Sequence, residues 1–260
     1  MNERGAALQA RMADLMAASL PRCSIPGCGR PTVGAEGKGL AACLCRLHLQ
    51  HKARHGSAWA KTYLAADLKP YIKTAASWID AHREEPWTAY ALAALDGLLI
   101  GAGPVVPAQD LKHHRATFRA RVAFARLREA GIKPQRILAV YLGGSALISD
   151  DRGSHRVEEF RIVQCAKALH RLASGTHRRW DFPMANGTTH PLEMHVYPRS
   201  SGMVLREIGG QVDEIARDLA EQAVPAIRQA KRETFGPHPS EAPGWVPPWR
   251  RALDKARAAP

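Results

Sequence analysis

The sequence contains no apolar run long enough to cross a bilayer as a helix. A span needs about 20 consecutive apolar residues, and the longest candidate, AYALAALDGLLIGAG, is interrupted by Asp96. The first 20 residues lack the compact basic start and apolar block of a secretion signal and are typical of an amphipathic helix. We therefore expect a cytoplasmic protein without a membrane span.

Motifs of several enzyme classes are also missing. The glycine pair Gly143-Gly144 is followed by Ser-Ala and not by Lys-Ser or Lys-Thr, so it does not form a phosphate-binding loop. The same stretch does not supply the nucleophile elbow of a hydrolase. Acidic residues cluster near one helix boundary only, where cap or counter-charge roles explain them: Asp150, Asp151, Glu158 and Glu159. We predict a protein that is not an enzyme.

Cysteines are few, and they are concentrated in one place. The chain has five, and four of them lie between positions 23 and 45, directly before histidines at 48, 51 and 55. This number and clustering do not suit a disulfide framework. They favour a metal site in a reducing compartment.

The spacing within the cluster predicts the ligands. Cys23 and Cys28 bracket SIPG, a turn that can bring two sulfurs toward a common point. Cys45 and His48 are three residues apart, so on a helix they lie on one face of the first turn, where the positive helix end favours a thiolate. A closed tetrahedral site needs four such ligands. We predict a structural Zn²⁺ held by Cys23, Cys28, Cys45 and His48.

Three neighbouring residues compete with this ligand set. Cys43 offers another sulfur, and His51 or His55 could replace His48 because they continue the same helix. A solvated basic helix face is the preferred interpretation for both histidines. Since a closed site has no open position for water, its expected role is folding and not chemistry.

The segment 23–57 resembles the treble-clef-like zinc fingers of phage and bacterial DNA-associated proteins, including many near homing-type endonucleases. In those fingers a short Cys turn precedes a helix that opens C-x-x-H, as CRLH does here. The first Cys pair departs from the commonest form, because four residues separate it instead of two. The whole chain is similar to uncharacterised alphaproteobacterial zinc-finger proteins of mobile-element type, which share RHGS, RLASGTHRRW and YPRSSGMVLREIGG. This resemblance implies association with DNA but no particular activity.

The charge balance favours a polyanionic partner. Lys and Arg outnumber Asp and Glu by 37 to 24, for a net charge of +13. The excess is largest in 111–180, at 15 against 5, and is also present in 1–60, at 8 against 3. The alternative is an Arg-rich protein, typical of GC-rich genomes, that is basic without binding anything.

Periodicity predicts a mainly α-helical chain in four parts. They are an N-terminal helix and zinc finger at 1–60, a helical hairpin at 61–107, a helical domain at 108–236 and a basic Pro/Trp-rich tail at 237–260. Within the third part we predict a helix over 108–131 and a helix from Pro134 that is broken or bent near the Gly143-Gly144 pair. A helix before Gly175 and a kinked or broken helix around Pro225 are also expected.

A β-hairpin is predicted near 177–197, because Asn186-Gly187 is a strong two-strand turn signal. Three helices followed by a hairpin is the element order of a winged helix, although a helical bundle with an added hairpin gives the same order. In a winged helix, Gln164, Lys167 and Arg171 would face bases in the major groove. Phosphate contacts are predicted on the helix over 108–131 and on the β-hairpin: Lys112, Arg115, Arg119, Arg178 and Arg179.

These patterns predict a zinc-containing DNA-binding protein, acting as a transcriptional regulator or accessory factor of a mobile element. One alternative is an assembly subunit that binds protein partners through the finger, the C-terminal helix or the Trp-rich tail. Another is a metal-dependent nuclease, for which Glu193 and His195 share one face of the hairpin and His177 could join them across it.

Overall fold

The computed structural model describes residues 21–34, 39–173, 176–196, 201–247, 250, 251 and 254, with the backbone alone at 176–179 and 193–196. The predicted N-terminal helix lies outside these residues, as does much of the predicted tail. The chain divides into two compact units. We call residues 1–61, 151–155 and 239–260 the N-terminal unit, and residues 62–150 and 156–238 the helical unit. Over the described residues, helix length and hydropathy give no segment that could span a membrane.

The described residues of the N-terminal unit contain little regular structure. Helix α1 is Leu40–Cys43 and helix α2 is Arg46–His55, while Pro239–Glu241 forms a 3₁₀ turn. An isolated antiparallel bridge joins Arg22 to Pro31. Helices as short as α1 and α2 are not stable by themselves and need tertiary contacts or a ligand.

The helical unit contains most of the secondary structure. Its helices are α3 (Ala65–Ala81), α4 (Pro86–Ile100), α5 (Ala116–Glu129), α6 (Pro134–Asp150), α7 (Glu158–Leu172) and α8 (Gly202–Phe235). A 3₁₀ turn spans Ala108–His113, and strands β1 (Thr176–Pro183) and β2 (Thr189–Val196) form an antiparallel pair. The prediction of a mainly helical chain with one β-hairpin is confirmed.

Helix α6 lies at the centre of the helical unit. Almost all of its residues are buried, because it packs on α3, α4, α7 and α8. The core around it includes Tyr71, Phe124, Tyr141 and Leu169, none more than 1% exposed. The predicted helical hairpin at 61–107 and the predicted helical domain at 108–236 share this one core.

The glycine pair in α6 does not break the helix, which excludes one of the two predicted alternatives. Helix α6 runs without interruption from Pro134 to Asp150. A Cβ at Gly143 would lie 2.8 Å from the backbone nitrogen of Ile72, and one at Gly144 would lie 2.8 Å from Cys165 Sγ. The pair therefore lies where α3 and α7 approach α6 closely, and the absence of a Cβ leaves room for this packing.

The helix predicted over 108–131 is two elements. Ala108–His113 is a 3₁₀ turn, His114 is extended, and α5 begins at Ala116. Ala108 and Leu111 are buried by the 3₁₀ turn, so the apolar spacing is satisfied without an α-helix. At Pro225, where a kink or a break is predicted, the break is excluded because α8 continues through it from Gly202 to Phe235.

The hairpin forms where the sequence predicts it. The strands pair from Thr176 opposite Val196 to Pro183 opposite Thr189, and Gly187 adopts φ +80° in the turn. Every described side chain from residue 180 to residue 192 is exposed, including Trp180 and Phe182. The element order expected of a winged helix is thus present, but order alone does not define that fold, which stays a prediction.

Two adjacent glycines in α8 provide a matched test of the packing of α8 on α7. A Cβ at Gly209 would lie 2.3 Å from the backbone oxygen of Ile162, whereas one at Gly210 would have nothing within 4 Å. We expect Gly209→Ala to destabilise the helical unit by about 1–3 kcal/mol through overpacking. Gly210→Ala should stabilise it by about 0.5–1 kcal/mol, because alanine loses less backbone entropy in a helix. Denaturant unfolding of both variants checks this, and equal effects at the two positions would contradict the close helix contact.

Candidate metal centre

A short turn brings the first two cysteines together. Cys28 donates its backbone N–H to Ile25 O at 3.1 Å, and Gly27 and Gly29 both adopt positive φ, at +76° and +59°. The backbone N–H of Cys23 donates to Arg30 O at 2.8 Å. Only glycine enters left-handed backbone conformations at little cost, so the sequence PGCG determines this turn.

The start of α2 supplies the other two candidate ligands. Cys45 is the residue that precedes the helix, with φ −73° and ψ 162°, and His48 is in the first turn. The helix ends at Gly56, which adopts φ +77°. Cys45 and His48 therefore project from one end of a helix of defined length, as the sequence predicts.

The four predicted ligands meet in one cluster. Their candidate ligand atoms all lie within 4.8 Å of one another. His48 Nδ1 is 3.3 Å from Cys23 Sγ and 3.4 Å from Cys45 Sγ, and Cys28 Sγ is 3.7 Å from Cys45 Sγ. All five cysteines are free thiols. This cluster is close enough to hold a metal ion.

The competing residues are occupied elsewhere. Cys43 is exposed, and its thiol donates to Leu40 O at 3.5 Å. His51 Nδ1 is 2.7 Å from Ser57 O, and the rings of His51 and His55 lie 4.4 Å apart. Among the described residues, the metal-compatible cluster includes none of these three.

The surroundings of Cys45 and His48 lower the pKa of both side chains. Burial acts to raise the pKa of Cys45, but the backbone N–H groups of His48 and Leu47, with the neighbouring thiols, outweigh it and lower that pKa. Burial also lowers the pKa of His48, and the positive charges of His51 and Arg30 lower it further. A neutral imidazole and a thiolate are the forms that bind metal.

The pKa of Cys28 shifts in the opposite direction. Burial raises the pKa of Cys28, and the neighbouring sulfurs of Cys45 and Cys23 raise it further. Three sulfurs this close repel one another when ionised, so a cation is needed to hold all of them as thiolates.

The apolar core around the cluster is small. It consists of Cys23, Leu44, Cys45 and Ala58, with Ile25, Cys28, Leu49 and Trp59 packed against them. Three of these eight residues are candidate metal ligands. The cluster therefore occupies the position that a hydrophobic core has in a larger domain.

Sequence reasoning missed a second structural centre in this unit, at Ser57. The Ser57 hydroxyl accepts from the backbone N–H of Ala60 at 3.0 Å and lies 3.0 Å from His155 Nδ1. The His155 ring also contacts Trp59, with centroids 5.4 Å apart. His155 is 98 positions from Ser57, so no local pattern could have indicated this contact.

The residues predicted to read bases are not presented together. Gln164 is only 6% exposed, so its side chain is not available to a base edge. Lys167 donates to Thr62 Oγ1 at 3.1 Å, and burial, followed by the charge of Arg171, lowers the pKa of Lys167 to about 8. Arg171 is exposed and donates to Tyr63 O. Helix α7 thus uses much of its predicted recognition face to pack within the helical unit.

The predicted phosphate contacts differ in exposure. Lys112 and Arg115 are exposed at the start of α5, and Arg119 is half-buried. Arg178 and Arg179 lie on β1, and their side chains are outside the described part of the chain.

The hairpin histidines are placed by strand register alone. His177 lies directly opposite His195, and Arg179 lies opposite Glu193. Positions 177, 193 and 195 therefore share one face of the hairpin, as expected for the alternative nuclease site. Their side chains are not among those described.

Comparisons with known proteins do not assign the chain to a family. No protein-family model matches it, and no curated protein and no solved structure is significantly similar to it. The cysteine–histidine cluster and the distribution of charge are therefore the observations that bear on function.

Proposed function

We propose that Cys23, Cys28, Cys45 and His48 hold one structural Zn²⁺. Zinc bonds of about 2.3 Å to sulfur and about 2.0 Å to nitrogen, at tetrahedral angles, separate two sulfurs by about 3.8 Å and a sulfur from a nitrogen by about 3.5 Å. The corresponding distances here are 3.7 Å between Cys28 and Cys45 and 3.3–3.4 Å from His48 to Cys23 and Cys45. Soft thiolates with one imidazole favour zinc over hard cations.

A site of three thiolates and one imidazole has a structural role. Four protein ligands complete a tetrahedral shell, so no position is left for a reacting water. The ion instead joins the turn around Pro26-Gly27 to the start of α2. Zinc would thereby organise residues 21–61 for an interaction with a partner.

We infer that this partner is DNA and that the protein is a non-catalytic regulator or accessory factor. The observation that carries the inference is the charge of the segment around the metal cluster. Residues 21–61 contain seven Lys and Arg against a single acidic residue, Glu36. Three thiolates and Zn²⁺ together carry a charge of −1, so the excess remains strongly positive. The proposed link to mobile elements rests on the sequence resemblance alone.

Several of these cations are available to a phosphate backbone. Four arginines of the N-terminal unit are exposed: Arg22, Arg30, Arg46 and Arg54. In the helical unit, Lys112 and Arg115 are exposed as well. The exposed Trp180 and Phe182 of the hairpin offer apolar surface of the kind that stacks on bases or enters a groove. Gln164 is omitted from the proposed DNA contacts because it is buried.

We expect Arg46→Gln combined with Arg54→Gln to weaken duplex binding in a salt-dependent way. Each lost phosphate contact should reduce the slope of log Kobs against log salt by about 0.9. The double variant should therefore lose nearly two units of slope, for any duplex sequence. Fluorescence anisotropy with labelled duplex across a salt series measures this, with metal content verified in each sample.

Lys69→Gln is the matched control, because Lys69 is an exposed cation of α3 in a part of the sequence without a basic excess. It should leave the slope unchanged. Binding without salt dependence, or no binding, would overturn the DNA proposal and favour the assembly subunit. Plasmid incubated with magnesium or manganese should remain uncut, and cleavage would favour the nuclease.

A further inference from the structure

The helical unit contains a cationic cavity separate from the metal cluster. Its empty volume is about 370 Å³, open mouth included, and it is lined from α5, α7, α8 and the 3₁₀ turn. Its polar lining consists of Arg119, Arg126 and His170. The rest of the described lining is apolar and includes Leu111, Leu127 and Val204. No carboxylate lines the cavity among the described residues.

Arg126 is the buried member of this group. Sequence periodicity places it on an exposed basic stripe of α5, but it is only 6% exposed. Its Nη2 donates to Val106 O at 2.9 Å. Its Nε and Nη1 are buried and have no hydrogen-bond partner among the described residues. Buried N–H groups of an arginine are costly when unpaired, so an acceptor at this position would stabilise the arrangement.

The charged side chains that line the cavity have the same sign. Burial lowers the pKa of Arg126, and the charge of Glu129, an exposed residue of the same helix, partly opposes this. Burial also lowers the pKa of His170, and Arg126, Arg119 and Arg171 lower it further. An anion in the cavity would relieve the repulsion among these groups and would favour a protonated His170.

We propose that this cavity binds a single oxyanion group, a phosphate or a carboxylate. Arg126 is the buried anchor, because a guanidinium presents N–H donors in a fixed plane that matches oxyanions. Arg119 lies seven positions earlier on α5 and provides the second positive charge. The remaining described lining is apolar and offers no further polar side chain, so the site suits one oxyanion group. The proposal depends neither on zinc nor on DNA binding.

The test is a titration at constant ionic strength with inorganic phosphate, phenyl phosphate and acetate, with chloride as the reference. The His170 ring resonances should shift saturably with at least one oxyanion, and the pKa of His170 should rise on binding. Phenyl phosphate distinguishes a site for the phosphate group of a larger molecule from a site for the free ion. Acetate identifies a carboxylate site.

Arg126→Met and Arg119→Gln should each weaken binding about tenfold or more, since each removes a charge-assisted hydrogen bond. Arg115→Gln, an exposed residue at the start of α5 outside the cavity lining, should not weaken it. If Arg126→Met does not fold, Arg119→Gln decides the outcome. Equal shifts with chloride, no saturation, or equal losses in Arg115→Gln and Arg119→Gln would overturn the proposal.

Discussion

Replacing Cys45 with serine is expected to abolish metal binding and unfold the N-terminal unit. Cys45 is 2% exposed, and its sulfur lies within 3.7 Å of both Cys28 Sγ and His48 Nδ1. A structural zinc contributes about 10–16 kcal/mol of apparent binding free energy in small fingers. The small core around the cluster cannot replace that contribution. Removal of the metal by a strong chelator should have the same effect.

Metal analysis and amide hydrogen exchange measure the two parts of this prediction. Backbone N–H groups of residues 21–61 should lose their protection in Cys45→Ser, while those of α6 in the helical unit should keep theirs. Cys43→Ser is the matched control, because Cys43 is the exposed cysteine of the same segment and is not a member of the cluster. A Cys45→Ser protein that retains stoichiometric metal and native protection would show that the ligand set is wrong.

Replacing Asp213 with alanine is expected to destabilise the helical unit by about 3 kcal/mol. Asp213 is fully buried on α8 and accepts from Tyr141 Oη at 2.6 Å and from Arg161 Nη2 at 2.8 Å. Arg217 also donates to its second carboxylate oxygen, from Nε at 2.9 Å. The substitution leaves a buried tyrosine hydroxyl and a half-buried guanidinium without their shared acceptor.

Denaturant unfolding of single and double variants separates this mechanism from simple loss of volume. Tyr141→Phe alone should cost about 1 kcal/mol, but it should cost almost nothing once Asp213 is replaced, since the hydroxyl then has no acceptor to lose. Asp218→Ala removes an exposed carboxylate from the same helix and should change stability by less than about 0.5 kcal/mol. Strictly additive costs for the Tyr141 and Asp213 substitutions would contradict a shared buried network.

The metal cluster was predictable from sequence because its determinants are local. A Pro-Gly turn sets the approach of Cys23 to Cys28, and helical spacing sets that of Cys45 to His48. The hairpin was predictable for the same reason, since Asn186-Gly187 specifies a turn by itself. The same local reasoning could not decide whether Cys43, His51 or His55 belonged to the site. In the folded chain Cys43 contacts Leu40 and His51 contacts Ser57, and the cluster includes none of the three.

The errors arose where tertiary packing overrides local pattern. Gly143 and Gly144 are typical of a helix break, but α6 continues through them, and the backbone of α3 and the side chain of Cys165 fill the space that a Cβ would need. Gln164 and Arg126 are polar residues that helical periodicity places on an exposed face, yet both are buried. Their surroundings include residues far away in the sequence, such as Val106, 20 positions from Arg126. A residue pattern along one helix does not contain that information.

Zinc-edge X-ray absorption of the purified protein is the most direct test of the central claim. If the zinc proposal is right, we expect one zinc per chain, coordinated by three sulfurs at about 2.3 Å and one nitrogen at about 2.0 Å. The Cys43→Ser protein should give the same spectrum as the unchanged protein, and the Cys45→Ser protein should give no zinc signal. A protein that contains no zinc, or a zinc shell dominated by oxygen, would contradict the account.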